Sequence, residues 1–334
     1  MRELSAYSKS LSRLIGFVFF LLSPTTLCSN ELQPNFTIAT FNIFNWGKSN
    51  RFIGSIFCRD AMKPESEKKA VIDIIKQLNA DVLLLQEIVL DEAEANIIDI
   101  RKRLEYTGLQ YPYYIFSTGQ DTRIGLLLLS RLPFIDSNVL NEDYFTIKNA
   151  SGATKTMRVS RGIIHAALQP IPGKRVDVLG VHLKSRKNNP EFNDQESETK
   201  GDLSIRRQEA LIVRGHALRL LREFPGTRII LLGDFNDHTR HPGEPEGPIE
   251  IITRKRDTTL PLYILNITDN VGDLWTYYFA AQATYDRIDM IIVNEPLLHE
   301  FLPSHSFIYR KSEGLPFWKE ASDHRAVRAA FHLK

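Results

Sequence analysis

The chain has 334 residues, 43% of them hydrophobic and 25% charged, with a formal net charge of +2. That balance supplies apolar surface for a sizeable core and excludes a disordered or fibrous polymer. It also leaves no broad basic surface of the kind a tight nucleic-acid binder carries, only room for a local patch, and two cysteines exclude a disulfide-rich scaffold.

The N-terminus is set apart from the rest. Arg2, Lys9 and Arg13 precede an unbroken apolar stretch from Leu14 to Leu22, closed by Ser23-Pro24. A basic leader before a short apolar stretch is the layout of a signal peptide, and the stretch is too short to span a bilayer as a helix. We expect residues 1–28 to be that signal and residues 29–334 to form one domain, so the protein is expected to be exported, periplasmic or secreted. The Thr26-Leu27-Cys28 cleavage pattern is loose, and Leu27 stands where a lipid anchor on Cys28 would want a small residue. A buried N-terminal core helix is the competing reading. Losing residues 1–28 lowers the formal charge from +2 to 0 and leaves Cys58 as the one cysteine, which rules out an internal disulfide.

Beyond the leader, short β-rich runs alternate with a few helices and no repeat is visible. FTIATF reads as a strand ending at Asn42. Glu65 to Leu78 places Val71, Ile74, Ile75 and Leu78 at the i, i+3, i+4, i+7 spacing of one helix face. DVLLLQ leads to Glu87, and a second helix is expected from Asp91 to Leu104. Strands follow near 111–116, 124–130, 161–168 and 175–182, the last carrying VDVLGV to His182. A long polar loop from Asn188 to Asp202 precedes a third helix, Leu203 to Arg222, with Ala210, Leu211, Ala217, Leu218 and Leu221 facing inward. RIILLG, near 228–233, ends at Asp234, and a Pro- and Gly-rich loop follows from Thr239 to Pro248. Arg254-Lys255-Arg256 reads as a solvated loop. Strands near 288–293 and 325–331 close the chain, the first around Asp289 and the second following Asp323-His324. Strands predominate and helices are scattered, which suggests two packed sheets with helices outside.

Six of these runs abut a polar residue suited to phosphate or metal. In an antiparallel sheet the end of one strand lies beside the start of its neighbour, so Asp323-His324 can join the strand-end residues on one rim. Glu87 emerges where a buried strand meets solvent, a fitting place for a Mg²⁺ ligand. In Gly233-Asp234-Phe235-Asn236-Asp237 the glycine permits a sharp exit, and Asp234 and Asn236, two apart, can work together. The carboxylate can orient or deprotonate a water while the amide donates to a phosphoryl oxygen. The competing reading is an Asx-rich turn. Asp289 sits among Ile288, Met290, Ile291, Ile292 and Val293, where an ionised carboxylate is costly unless paired, and His324 is its candidate partner. His182 and Lys184 can face one phosphate, Asn42 can orient a carboxylate, and Arg123 and Arg161 can clamp phosphate. Each of these alone is as readily a surface charge, a turn residue or a buried ion pair.

Together they resemble the endonuclease/exonuclease/phosphatase superfamily, the group that includes DNase I, AP endonucleases, neutral sphingomyelinases and inositol polyphosphate 5-phosphatases. The resemblance runs from about Phe36 to the C-terminus through FNIFN, LLLQE, GLLLLSRLPF, GVHLKS, GDFND, DRIDMIIV and SDHRAV, in family order. It implies an α+β fold, a four-layer αββα sandwich of two mainly antiparallel sheets with outer helices, and hydrolysis of a phosphate ester with Mg²⁺, Mn²⁺ or Ca²⁺. It further implies Glu87, with Asn42 and Asp323, as the metal site, and His182, Asp234, Asn236, Asp289 and His324 as the catalytic set. Lys184, Arg123 and Arg161 remain as substrate-binding candidates. AP endonucleases carry a tyrosine followed by Pro-Asn where this chain has His182-Leu183-Lys184-Ser185. Pancreatic-type DNases place a glutamate near Ile124, and the 5-phosphatase Cys-Asp-Arg segment is matched only partly by Tyr285-Asp286-Arg287. The expected activity is therefore a nuclease-like phosphodiesterase, with a sphingomyelinase-like phospholipid phosphodiesterase or a phosphomonoesterase as the alternative. Nucleic acid is the foremost expected substrate, and no protein partner is implied. A non-catalytic binding module is set aside because the full set of carboxylates and histidines is retained.

Overall fold

Alternation within the apolar runs decides the architecture, because successive side chains of a strand point to opposite faces. The protein is described here by a computed structural model covering residues 32–148, 152–186, 200–239, 246–254, 260–280, 282–310 and 321–334. Gln33–Lys334 form one compact unit. The expected signal peptide with Cys28, most of the loops from Asn188 and from Thr239, and Lys255-Arg256 lie outside the described residues.

In chain order the first elements are β1 (Phe36–Trp46), the hairpin β2 (Lys48–Ile53) and β3 (Ile56–Met62), α1 (Glu65–Leu78), β4 (Val82–Val89) and α2 (Ala93–Tyr106). Then come β5 (Tyr113–Ser117), β6 (Ile124–Ser130), β7 (Phe134–Leu140), the hairpin β8 (Tyr144–Lys148) and β9 (Thr154–Arg158), β10 (Ile163–Ile171), β11 (Lys174–His182) and α3 (Lys200–Glu223). The last third holds β12 (Arg228–Asp234), α4 (Pro248–Thr253), β13 (Leu262–Ile264), the hairpin β14 (Tyr277–Phe279) and β15 (Thr284–Asp286), β16 (Asp289–Asn294), α5 (Glu295–Glu300), β17 (Phe307–Ile308) and β18 (Val327–Phe331).

Two six-stranded sheets run β17-β18-β1-β4-β6-β5 and β13-β16-β12-β11-β10-β7. All pairs are antiparallel except one in each sheet, β1 with β4 and β11 with β12. Val82, Leu84, Leu126 and Leu128 of the first sheet meet Val176, Val178, Ile230, Leu232, Ile291 and Val293 of the second. Their odd-numbered neighbours Leu83, Leu85, Leu127 and Leu129 turn outward to Val71, Ile74, Ile75 and Leu78 of α1 and Ile97, Ile100 and Leu104 of α2. On the other side Leu179, Val181, Ile229, Leu231 and Ile292 pack on Ala210, Val213, Ala217 and Leu220 of α3 and on α4. Three apolar layers separate four structural ones, the expected αββα sandwich. Burial on both faces is why these strands read as unbroken apolar runs. Gly180 brings the sheets close, since a Cβ there would lie 2.8 Å from Leu84 Cδ1.

α1 has the bounds its periodicity predicts. It stops at Asn79, which takes the left-handed conformation (φ 43°) and donates its N–H to the Ile75 carbonyl. α3 differs in detail: Leu211, expected inward, is 38% exposed. The buried face is centred on Ala210, Val213 and Ala217, and at about 100° of helix rotation per residue Leu211 falls at its margin. Sequence periodicity also missed the β2–β3 hairpin, whose Phe52, Ile53, Ile56 and Phe57 are all exposed, Phe52 and Ile56 at 67%. Exposed apolar residues on a two-stranded ribbon carry no burial pattern to read.

Candidate active site

The two parallel pairs place four strand ends at one edge of the sandwich. Register sets His182 beside Asp234 and Asp234 beside Asp289. In the first sheet β18 runs antiparallel to β1, with Thr40 opposite Val327, so the segment before β18 returns to the end of β1. Asn42, Glu87, His182, Asp234, Asp289 and His324 consequently meet, from six separate segments.

Asp234 lies at the centre. Its Oδ2 accepts a hydrogen bond from Asn42 Nδ2 at 3.1 Å and sits 3.4 Å from His182 Nε2 and 3.9 Å from His324 Nε2. Its Oδ1 accepts the Asn236 backbone N–H at 2.8 Å. Asn42 Nδ2 also donates to Glu87 Oε1 at 3.1 Å, while its Oδ1 accepts the Phe44 N–H at 3.1 Å. That second bond fixes the amide so that its nitrogen faces the carboxylates. Asn42, expected among the metal ligands, thus turns its amide nitrogen to Glu87 and Asp234. Glu87 Oε2 accepts the Asn45 N–H at 3.1 Å. His324 Nδ1 pairs with Asp289 Oδ2 at 2.8 Å, which leaves Nε2 turned toward Asp234.

These contacts drive the two histidines apart in charge. Burial, reinforced by the positive charges of Arg161 and His324, holds His182 well below the usual imidazole range, so it is neutral. Burial also opposes a charge on His324, but Asp289, Asp234 and Asp323 outweigh it and push it up to about 10. Asp234 is pushed up to about 7, chiefly by burial, with the His324 charge pulling the other way and Asp289 adding to the rise. A carboxyl balanced near neutral pH beside a charged imidazole is suited to proton transfer.

The backbone is bent to build this edge. β1 and β4 slip register between Asn42 and Trp46, and β4 and β6 slip at Glu87. Bulges of this kind re-aim side chains at strand ends. Glu87 (φ 69°) and Asn236 (φ 50°) both take the left-handed region, which a glutamate adopts only when its surroundings enforce it. Gly233 (φ 140°) allows β12 to close on β11, where a Cβ would lie 1.9 Å from the Val181 carbonyl oxygen. Gly233→Ala is therefore expected to cost at least about 3 kcal/mol, read as a lowered urea midpoint, because the clash is with backbone that cannot swing aside. A midpoint within error of the parent would remove this role.

Do these residues fit a divalent cation? Asp323 Oδ1 is buried without a hydrogen-bond partner among the described residues. Its carboxyl is raised, first by burial and then by the negative charge of Glu87, with His324 opposing. Crowded carboxylates with an unpartnered oxygen are a donor set for a hard cation, so Glu87 and Asp323 fit one, with Asp234 adjacent. Asp234, Asp289 and His324 also offer ligand atoms within 4.8 Å of one another. Within that trio Asp289 Oδ2 and His324 Nδ1 are engaged with each other at 2.8 Å, while His324 Nε2 stands 3.9 Å from Asp234 Oδ2 and Asp289 Oδ1 has no hydrogen-bond partner among the described residues.

The remaining expected residues lie around this core. Asn236 donates its side-chain amide to the Leu183 carbonyl at 3.0 Å. Arg161 is buried, donates to the same carbonyl at 2.9 Å and pairs with Asp121 at 3.2 Å, so it steadies the segment after His182 rather than reaching out. Lys184 turns its ammonium to Ser185 at 3.3 Å. The Arg123 side chain is 81% exposed, with Nε 3.6 Å from Asp121, and is not drawn into the cluster.

Several contributors carry no sequence signal of their own. Ser322 Oγ donates to the Asn42 carbonyl at 2.7 Å and accepts the His324 N–H at 3.0 Å. Thr276 Oγ1 accepts the Asp289 N–H at 3.0 Å. Buried Lys63 ties the Phe44 carbonyl to that of Ala321 at 3.1 and 3.0 Å. Tyr277 lays its ring 4.7 Å from that of His324. Only Ser322, next to Asp323-His324, stood inside a recognised motif.

A family model described as Endonuclease/Exonuclease/phosphatase family matches residues 56–324. No curated protein sequence matches the chain. Among solved structures, an endonuclease/exonuclease/phosphatase from Beutenbergia cavernae is similar with a TM-score of 0.59 at 17% identity, over 89% of this chain and 71% of that one. The human Nocturnin catalytic domain with bound sulfate anion gives 0.57 at 15% identity, over 91% and 96%. TDP2 from C. elegans gives 0.53 at 17% identity, over 89% and 74%. At these identities the likeness is one of fold.

Proposed function

The chain belongs to the Endonuclease/Exonuclease/phosphatase family and is a hydrolase of phosphate esters, and from that premise we propose that it is an exported, divalent-metal-dependent phosphodiesterase acting on nucleic acid. The observation that carries the chemistry is the placing of Asp234 Oδ2 between Asn42, His182 and His324. Asp234 takes the proton of a water aligned for in-line attack. Charged His324, held by Asp289, binds a phosphoryl oxygen, and neutral His182 donates a hydrogen bond from its side of the site. Glu87 and Asp323 would hold the cation, which when bound supplies charge neutralisation at the phosphoryl group. The basic leader and apolar stretch at the N-terminus support export, which the mass and location of the protein produced by its host will check.

The test is plasmid and oligonucleotide cleavage, sphingomyelin hydrolysis and phosphomonoester hydrolysis assayed side by side, with Mg²⁺ and then with EDTA. Nucleic acid is expected to be cleaved with Mg²⁺ and spared with EDTA. Release of phosphate from a monoester alone would overturn the phosphodiester reading, and undiminished activity in EDTA would overturn the cation. A second reading, a phospholipid phosphodiesterase, is favoured by one observation, the exposed Phe52, Ile53, Ile56 and Phe57 on the β2–β3 hairpin, which suit an apolar surface. Turnover of sphingomyelin without nucleic-acid cleavage would select it.

A further inference from the structure

The β14–β15 hairpin stands directly against the catalytic histidine. Tyr277 forms a backbone bridge with His324 and its ring lies 4.7 Å from the imidazole, tilted by 41°. Two residues along the same strand, and hence on the same face, Phe279 sets its ring nearly parallel to that of Tyr277, at 19° with centroids 6.4 Å apart. Phe279 is 38% exposed. Asp286 pairs with Tyr277 across the hairpin and holds Arg186 Nη2 at 2.6 Å, which brings a guanidinium alongside the same face.

The opposite face of the hairpin is pinned. Tyr285 packs on Trp275 and on Tyr278, each at 4.8 Å, and Arg325 lies over Trp275 at 4.2 Å. The Tyr278 N–H donates to the Asp323 carbonyl at 3.1 Å and the Arg325 N–H to that of Thr276 at 2.6 Å. The two outward rings are therefore held rigidly by the segment that carries Asp323 and His324. Nothing in phosphoryl transfer itself calls for two aligned aromatic rings beside the histidine. A planar group attached to the phosphate does, and stacking of a nucleobase on an aromatic side chain is favourable for any base.

We propose that Tyr277 and Phe279 form a stacking platform for the base next to the scissile phosphate, with Arg186 beside it for the neighbouring phosphate, which makes an unpaired nucleic-acid strand the preferred substrate. This rests on the nuclease reading above and narrows it. Within a duplex a base already has stacking partners on both faces, so it reaches the platform only by leaving the helix. A phospholipid headgroup offers no planar ring and gains nothing from these residues.

The experiment compares single-stranded and duplex oligonucleotides of one sequence, and a single strand carrying one abasic residue beside the cleaved phosphate. Parent enzyme and Phe279→Leu and Phe279→Trp variants are measured on each. Phe279 is chosen because it lies beyond Tyr277 from the histidine. The expected result is that the single strand is cut faster than the duplex. Phe279→Leu should lower kcat/KM on the intact strand by roughly 5- to 100-fold. It should leave the abasic strand within about two-fold, because the stacking partner is already missing there. Phe279→Trp should retain the parent rate. Equal loss on intact and abasic strands would mark Phe279 as merely structural and overturn the platform, as would a duplex cut as fast as a single strand. In either case cleavage itself would leave the nuclease reading standing. No cleavage of any oligonucleotide, with lipid or monoester turned over instead, would end both.

Discussion

His324→Ala is expected to lower kcat by about 10²- to 10³-fold, the range for loss of a preorganised donor at developing charge, while circular dichroism and melting stay close to the parent. The imidazole lies 2.8 Å from Asp289 and 3.9 Å from Asp234. Its ring touches Tyr277, but no apolar core cluster depends on it. The companion change Asp289→Asn keeps the shape and removes the nearest negative charge. With less to oppose burial, His324 falls from about 10, and its protonated form is lost at a lower pH. If that form holds the phosphoryl oxygen, the alkaline limb of the rate profile moves toward acid in Asp289→Asn. A near-normal rate for His324→Ala would remove it from the mechanism, and an unmoved limb would remove the charged imidazole.

Asp234→Asn is expected to abolish activity by about 10³-fold or more and yet to stabilise the cation-free protein. The carboxyl is buried at the point where both sheets converge and is pushed up to about 7 from an ordinary value of 3.8. Between those two values the folded protein keeps a proton that the unfolded chain has already released. Wild-type stability therefore falls as pH rises through that window and levels off above it. The amide has no such dependence. In EDTA the melting advantage of Asp234→Asn should grow from about pH 4 to about pH 7 and then remain constant, on the order of a few kcal/mol. Added Mg²⁺ should shrink it by stabilising the parent. A variant that melts below the parent at neutral pH in EDTA would show that the carboxylate contributes to the fold rather than straining it.

Both expectations concern residues visible in the sequence, and the reason lies in their positions. Glu87, His182, Asp234 and Asp289 each border an apolar run that had to be a strand buried on two faces, so a polar residue at its boundary marks where the chain leaves the core. Asp323 and His324 were legible by the same logic from the other end of a strand. Two packed sheets with helices outside followed from the predominance of strands over scattered helices, and the resemblance implied the four layers. Arg123 shows the limit of such reading. It begins a strand as Arg161 does, yet Arg123 is exposed and Arg161 is buried under Leu183. Nothing local separates two strand-edge arginines.

What was not legible was made by contacts between distant segments. Lys63 bonds to Ala321 across 258 positions. The Tyr277 ring is placed by a three-residue strand, too short to carry a period. The left-handed turn at Glu87 and the bulge after Asn42 depend on the partner strands, which local propensity does not encode.

The sequence by itself determined the strands buried on both faces, the inward face of α1 and the chemical kinds of group at the strand ends, because burial on both faces and helical spacing are local constraints on composition. Only the tertiary structure decided which of those groups share one oxygen of Asp234, which histidine is charged and which arginine reaches solvent. Those outcomes depend on distance and desolvation, and both are fixed only when two sheets close on each other.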